Sequence, residues 1–312
     1  MLSERETNVT HALSQAEWIR DWAIEFIKAK KIERLSPNTI RIYEQQLKHF
    51  TAFCEGQLLE HISQVSSSDI RNFLLYLQDE GHNPGGVHVG YRILKTFLRW
   101  YDLEAEPENW RNPITKVKAP RLVEEPLKPI ELRDVRSMLD TCDSTFLGTR
   151  NRAILLFLLD TGLRARELLS ISLDDINLVT GNVLLRRGKG SKSRTVFIGK
   201  ETKKAVRAYL KNRQDNLEAL WVTDDQKKVL AYGGLRALLE RHAILAGIKP
   251  PSAHDFRRAF AITMLRNGID LVTLARLMGH TNLKVLQRYL KQLPEDLQEA
   301  HLRAGPVDNA GF

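Results

Sequence analysis

Apolar residues recur at helical spacing through the first hundred positions. Trp18, Ile19, Trp22, Phe26 and Ile27 fall on one stripe, with Lys and Glu between them. That is the pattern of a helix with a single buried face. "LSPNTIRIYEQQLKHFTAFCE" predicts a second helix. Ser36 is a natural N-cap, Pro37 suits the first helical position, and Ile40, Tyr43, Leu47 and Phe50 form its stripe. A third starts near Ser68 and Asp69 and carries Ile70, Phe73, Leu74 and Leu77, until "GHNPGG" breaks the pattern. A fourth runs from about Val87 to Tyr101 and sets Leu94, Phe97 and Leu98 against Arg92, Lys95 and Arg99. Residues 14–110 therefore read as a four-helix unit with a basic streak.

The periodicity then stops. Residues 111–130 hold Pro113, Pro120, Pro126 and Pro129 and read as an interdomain linker. Residues 131–312 read as a second, mixed domain. Helices are expected near 131–140 and 148–160. "NVLLRRGKGSKSRTVFIG" predicts a β-hairpin, Val183 to Arg186 and Thr195 to Ile198 about a tight glycine turn. Asp174 and Asp175 read as a polar turn, and further helices follow from 201 to the end. The fold class is mainly α with a small β-sheet.

Composition narrows the partners. A chain of 312 residues suggests about two domains. Lys and Arg number 47 against 38 for Asp and Glu, a net charge of +9. Such an excess suits a polyanion such as nucleic acid, whose condensed counterions fixed cations replace. Cys54 and Cys142 form no metal-ligating or disulfide pattern. No metal or cofactor is expected. "MLSERETNVTHAL" lacks the apolar segment of a signal peptide, and the longest apolar run, "AILLFLL", is too short for a bilayer. The expected setting is cytoplasmic, with no membrane.

Four stretches carry candidate chemistry. In "TGLRARELL" an apolar helix ends at Gly162, and Arg164 can offer its planar fork to an anion, with Glu167 behind it. In "RRGKGSKSR" a basic hairpin tip presents Lys189. In "PPSAHDFRRAFA", Ser252 and Asp255 form a capping box, so His254 and Arg257 sit at a helix start suited to a phosphate. In "GHTNLKVLQRYL", His280 precedes Tyr289 by nine positions. Each has a plain structural alternative: a surface ion pair, a solvated turn, a capped helix, a tyrosine packed beside leucines. Together they make a set suited to phosphoryl transfer without metal. A tyrosine hydroxyl can attack a phosphodiester, arginines can neutralise the phosphorane, and a histidine and a lysine can move protons.

These motifs resemble those of the tyrosine recombinase (phage integrase) family in its Xer-like two-domain layout. "TGLRAREL" supplies Arg164, "GKGSKSR" Lys189, "HDFR" His254 and Arg257, "LMGH" His280, and "RYL" Tyr289. "SPNTIRIYEQQLKHF" resembles the family's N-terminal, SAM-like core-binding domain. The resemblance implies an α+β catalytic domain in which Tyr289 is the nucleophile. It implies that Arg164, Arg257 and His280 stabilise the transition state, His254 handles a proton and Lys189 is the general acid. It implies a 3′-phosphotyrosyl link and a Holliday junction, formed by a synaptic tetramer on duplex DNA. Expected DNA contacts are Arg186, Arg187, Lys192 and Arg194 from the hairpin and Arg41, Lys95 and Arg99 from the first domain. The tail after Tyr289 would dock on a neighbouring protomer, and no arm-binding module would precede the core-binding domain. "LMGH" and the absence of Thr-Thr and a trailing His around "VLQRYLKQ" depart from Xer-like members. The departures weigh on a housekeeping role more than on catalysis. Two other readings stay open: type IB topoisomerase-like relaxation of DNA, and a non-catalytic DNA-binding regulator on the same fold.

Overall fold

A computed structural model describes residues 18–122, 129–186 and 193–279, together with 301, 302, 305, 307 and 310. The chain divides into two units, Met1–Glu125 and Pro126–Phe312.

In the first unit, helices α1 (Ile19–Ile32), α2 (Pro37–Gly56), α3 (Ser67–Asp79) and α4 (Pro84–Ala105) enclose one apolar core. The predicted stripes fill it: Phe26, Phe50, Phe73 and Phe97 are all buried, and the rings of Phe26 and Phe97 meet edge to face at 5.5 Å. Ser36 caps α2 by accepting the N–H of Thr39 at 3.1 Å. Trp18 departs from its stripe. It lies exposed ahead of α1, where the chain bridges to His61 and the indole stands edge-on to that imidazole at 5.5 Å.

The fourth helix begins earlier than the sequence suggests, at Pro84, so Gly85 and Gly86 lie inside its first turn. The cause is Asn83, whose side chain accepts the N–H of Gly86 at 2.8 Å and caps the helix despite the glycines. The start of the expected linker also belongs to this unit. Asn112 donates to the carbonyl of Leu98 at 2.9 Å, the Tyr91 hydroxyl donates to that of Val117 at 2.9 Å, and Ile114 and Val117 are buried in the core.

The second unit is built around α6 (Phe146–Thr161), which follows α5 (Leu132–Asp140). The "AILLFLL" run is its buried centre: Ala153, Ile154, Leu155, Phe157 and Leu158 are fully buried. Strands β1 (Asn182–Leu185) and β2 (Arg194–Phe197) pair antiparallel, Val183 opposite Val196 and Leu185 opposite Arg194. Each lies one residue ahead of its predicted start, while Ile198 still donates to the carbonyl of Gly181. Short α7 (Ala165–Leu169) precedes the hairpin, and α8 (Lys200–Lys211), α9 (Tyr232–Leu245), α10 (Ala253–Arg266) and α11 (Leu271–Met278) follow it. Leu274 and Met278 of α11 pack with Phe260 and Ile262 of α10 in a small second core. Asp175 is no solvent turn. It is buried, accepts the Ser172 hydroxyl, and holds the Arg186 side chain at 2.6 Å.

Candidate active site

The site grows from the end of α6. Its C-cap, Gly162, has φ of 58°, a left-handed conformation in which a side chain is strained. A Cβ there would also meet the Phe260 ring at 2.4 Å. Conformation and packing both demand glycine. Leu163 then plunges into the core, and Arg164 caps α7 with about half of its side chain exposed.

Glu167, one turn into α7, gathers the charges around Arg164. Its carboxylate accepts the Arg164 N–H at 3.0 Å and the guanidinium at 3.3 Å. It also takes a two-pronged grip from Arg194 at 2.7 and 3.0 Å. Burial would raise the Glu167 pKa, but the Arg194 fork, the Arg164 N–H and the two positive charges outweigh it and hold the acid at about 2. The expected partnership of Glu167 with Arg164 is present. Arg194, expected as a DNA contact, instead has its side chain 11% exposed and two donors on Glu167. Arg186, also expected on DNA, is largely exposed and bonded to Asp175.

The helix start of α10 carries the other described residues. Ser252 and Asp255 form the predicted capping box. His254 is exposed, but Arg257 is 1% exposed, so the two do not form a surface pair. Arg257 instead points inward. One of its terminal nitrogens donates to the carbonyl of Gly162 at 2.7 Å, the other to that of Met278 at 2.8 Å. These carbonyls end α6 and α11, each two residues before a motif residue, Arg164 and His280. The guanidinium thus ties the stretches of Arg164 and His254 to the last residue of α11 at fixed backbone points.

The His254 pKa is lowered, first by burial, then by the charges of Arg258, Arg257 and Arg164, against the opposing carboxylate of Asp255. Since the residue as a whole stays exposed, the charges are the firmer cause. Arg258, which donates to Asp255 at 3.0 Å, was absent from the sequence candidates. Its only signal is the Arg-Arg doublet. In the first unit Arg41 and Arg99 are exposed, and the Lys95 ammonium lies 5.8 Å from the Tyr91 ring centre. Lys189, Arg187, Lys192, His280 and Tyr289 lie outside the described residues, as does most of the tail. Among the described residues, no cluster of three or more His, Cys, Asp or Glu is placed to hold a metal, and no helix is long and apolar enough to cross a membrane.

Residues 128–296 match the Phage integrase family, and residues 22–105 match the Phage integrase, N-terminal SAM-like domain. The chain is 30% identical over 286 residues to the tyrosine recombinase XerA of Thermococcus kodakarensis, covering 91% of this chain and 95% of that one. It is 30% identical over 281 residues to the tyrosine recombinase XerD of Listeria monocytogenes, covering 87% and 94%. Among solved structures, the Tn1549 transposon integrase in complex with a circular intermediate DNA aligns with a TM-score of 0.74 at 16% identity, over 88% of this chain and 95% of that one. The XerH site-specific recombinase bound to its difH substrate aligns with a TM-score of 0.70 at 20% identity, over 87% and 81%. These two likenesses show the fold: a SAM-like helical domain followed by a catalytic domain with a small sheet.

Proposed function

The chain belongs to the phage integrase family of tyrosine recombinases, and from that premise we propose that it is a site-specific recombinase that cuts and rejoins duplex DNA to integrate, excise or resolve a mobile element or replicon. The observation that supports the reading is Arg257, whose buried guanidinium holds the carbonyls of Gly162 and Met278 and so draws together the stretches bearing Arg164 and His254 and the helix end that precedes His280 in the sequence. A positive cluster of Arg164, Arg257 and Arg258 around a neutral histidine suits an anionic phosphorus centre.

In the proposed reaction, the Tyr289 oxygen attacks the scissile phosphorus and its proton passes to His254. The P–O bond to the 5′ oxygen breaks, and Lys189 protonates that oxygen. A 3′-phosphotyrosyl bond replaces the phosphodiester. The free 5′ hydroxyl of a partner duplex then reverses the step, so no phosphodiester is lost and no ATP is needed. Arg164, Arg257 and His280 neutralise the charge on the five-coordinate phosphorus, an effect of roughly 3–4 kcal/mol for a well-placed donor. A tetramer on two sites in the cytoplasm would complete strand exchange through a Holliday junction.

The test uses a nicked suicide duplex built on sequence that the protein selects from a random pool. Wild type should form a covalent protein–DNA adduct, and Tyr289→Phe should form none. An adduct in Tyr289→Phe removes the nucleophile assignment. Relaxation of a plasmid without dependence on paired sites would point to a topoisomerase instead.

A further inference from the structure

Arg194 opens β2, opposite Leu185 in the strand pair next to the turn. Its basic neighbours make it look like one more phosphate contact. Its geometry is different. The side chain is 11% exposed, and both terminal nitrogens are committed to the two oxygens of Glu167, at 2.7 and 3.0 Å. A guanidinium gripping both oxygens of one carboxylate fixes that carboxylate in plane and distance.

The carboxylate so fixed is the one that sets Arg164. Glu167 takes the backbone N–H of Arg164 and one guanidinium nitrogen. Arg164 has 48% of its side chain exposed, and among the described residues its side-chain hydrogen bond goes to Glu167. Charge matters as much as geometry. One carboxylate facing Arg164 alone would close on it and cancel it. With Arg194 also present, one negative charge faces two positive ones, and a net positive charge stays at the turn.

We propose that Arg194 is a positioning residue for strand cleavage: through Glu167 it orients Arg164 and keeps its charge available to the scissile phosphate. This rests on the recombinase reading above. The contact links β2 to α7 across 27 positions of sequence.

The test is single-turnover cleavage of the nicked duplex at saturating DNA, with Arg194→Gln, Arg194→Lys, Arg164→Ala and the Arg164→Ala/Arg194→Gln double variant. Arg194→Gln should slow cleavage about 30-fold, part of the hundredfold or more that loss of a transition-state donor costs. Arg194→Lys should fall between it and wild type. DNA affinity and its salt slope should stay within about twofold, since no phosphate contact is lost. In the Arg164→Ala background, Arg194→Gln should add less than about twofold, because it acts through the missing residue. A duplex with a neutral methylphosphonate at the scissile position supplies the readout that a general loss of folding would not move. The Arg194→Gln defect should shrink there to within about threefold, since an uncharged phosphorus centre has less need of arginine. Equal slowing on both duplexes, or full additivity with Arg164→Ala, overturns the proposal. So does a salt slope reduced by about one, which would make Arg194 a DNA contact. Failure of wild type to form any Tyr289-dependent adduct would instead sink the recombinase reading itself.

Discussion

Arg150 and Arg257, both buried in the second unit, are held in different ways. Arg150, in α6, gives its Nε and one terminal nitrogen to the Asn151 side-chain oxygen at 3.1 and 3.0 Å and the other to the carbonyl of Val222 at 2.7 Å. Asn151 then meets Nε2 of His242 at 2.9 Å, and the Thr141 oxygen lies 2.6 Å from Nδ1. Thr141 donates to the carbonyl of Met138, so its oxygen accepts from Nδ1–H. The Asn151 oxygen is held by Arg150, so its nitrogen donates to Nε2. Both ends fix the same neutral tautomer. The chain of donors is closed and buried. Arg257 is equally deep, but its two carbonyls lie at helix ends that lead into Arg164 and His280, beside an exposed histidine.

Both networks lower a histidine pKa. For His242 burial comes first, then Arg241 and Arg150, with Asp143 opposing before Arg150. A shifted titration therefore does not mark the site. Cys142 makes the same point, lying 3.8 Å from His242 Nδ1, with Asn151 at the far nitrogen. It resembles a hydrolase triad in composition only. Burial pushes its thiol up to about 11, and Thr141 holds the nitrogen that would take its proton. Access to a reacting group separates the two clusters.

Substitution of the arginines should break the symmetry most strongly. Arg257→Gln is expected to cut the rate of adduct formation by about a thousandfold or more, as loss of a central charge donor does. It should also cost roughly 1–3 kcal/mol for each carbonyl left without its donor. Arg150→Gln should cost stability of the same order, yet folded molecules should cleave within about twofold of wild type. Denaturant melts beside single-turnover cleavage separate the two effects. If Arg150→Gln loses cleavage at full folding, the closed network is part of the site.

Glycine substitutions give a smaller, sharper version. Gly162 and Gly247 both have positive φ, 58° and 68°. An alanine in this region costs about 1–2 kcal/mol. At Gly247 nothing lies within 4 Å of the added Cβ, whereas at Gly162 the Phe260 ring is in the way. Gly247→Ala should lower stability alone. Gly162→Ala should also displace the carbonyl that Arg257 holds and slow cleavage about tenfold, since sub-ångström misplacement matters at a reacting centre. Equal cleavage by the two variants would dissociate the Gly162 carbonyl from catalysis.

Much of this was legible in the chain. The aromatic stripes of α1 to α4, the cap at Ser36 and the capping box at Ser252 are local patterns, and locality is what periodicity and capping report. The order of Arg164, Lys189, His254, Arg257, His280 and Tyr289 carried the resemblance to the family that the chain belongs to. The Glu167 partner of Arg164, three residues along one helix, was legible; the charge partners distant in sequence were not. A basic hairpin reads alike whether Arg194 faces water or a carboxylate 27 residues back, and Arg186 and Asp175 posed the same problem. Nor does sequence tell Arg150, whose partner Asn151 meets a histidine 91 residues further on, from an exposed arginine. The start of α4 failed for a local reason: Asn83 outweighs two glycines.

The finest test follows the two histidines through titration. His254 has its folded pKa below the ordinary 6.5. As pH falls through 6.5 the unfolded chain takes up the proton first, so the stability this group allows above that pH is lost below it. His254→Asn should therefore flatten the stability loss just under pH 6.5, which denaturant melts across that range measure. At neutral pH the ring is uncharged and able to accept the tyrosine proton. A DNA phosphate brought beside it should oppose the shift, raising its pKa through the new negative charge. His242, sealed by Asn151 and Thr141, should keep its value when DNA binds. Nuclear magnetic resonance of the imidazole Cε1–H signals, with and without the selected duplex, reads both at once. A rise at His254 alone locates the phosphate on the α10 side of Arg257; a matching rise at His242, or no change at His254, places the anion elsewhere.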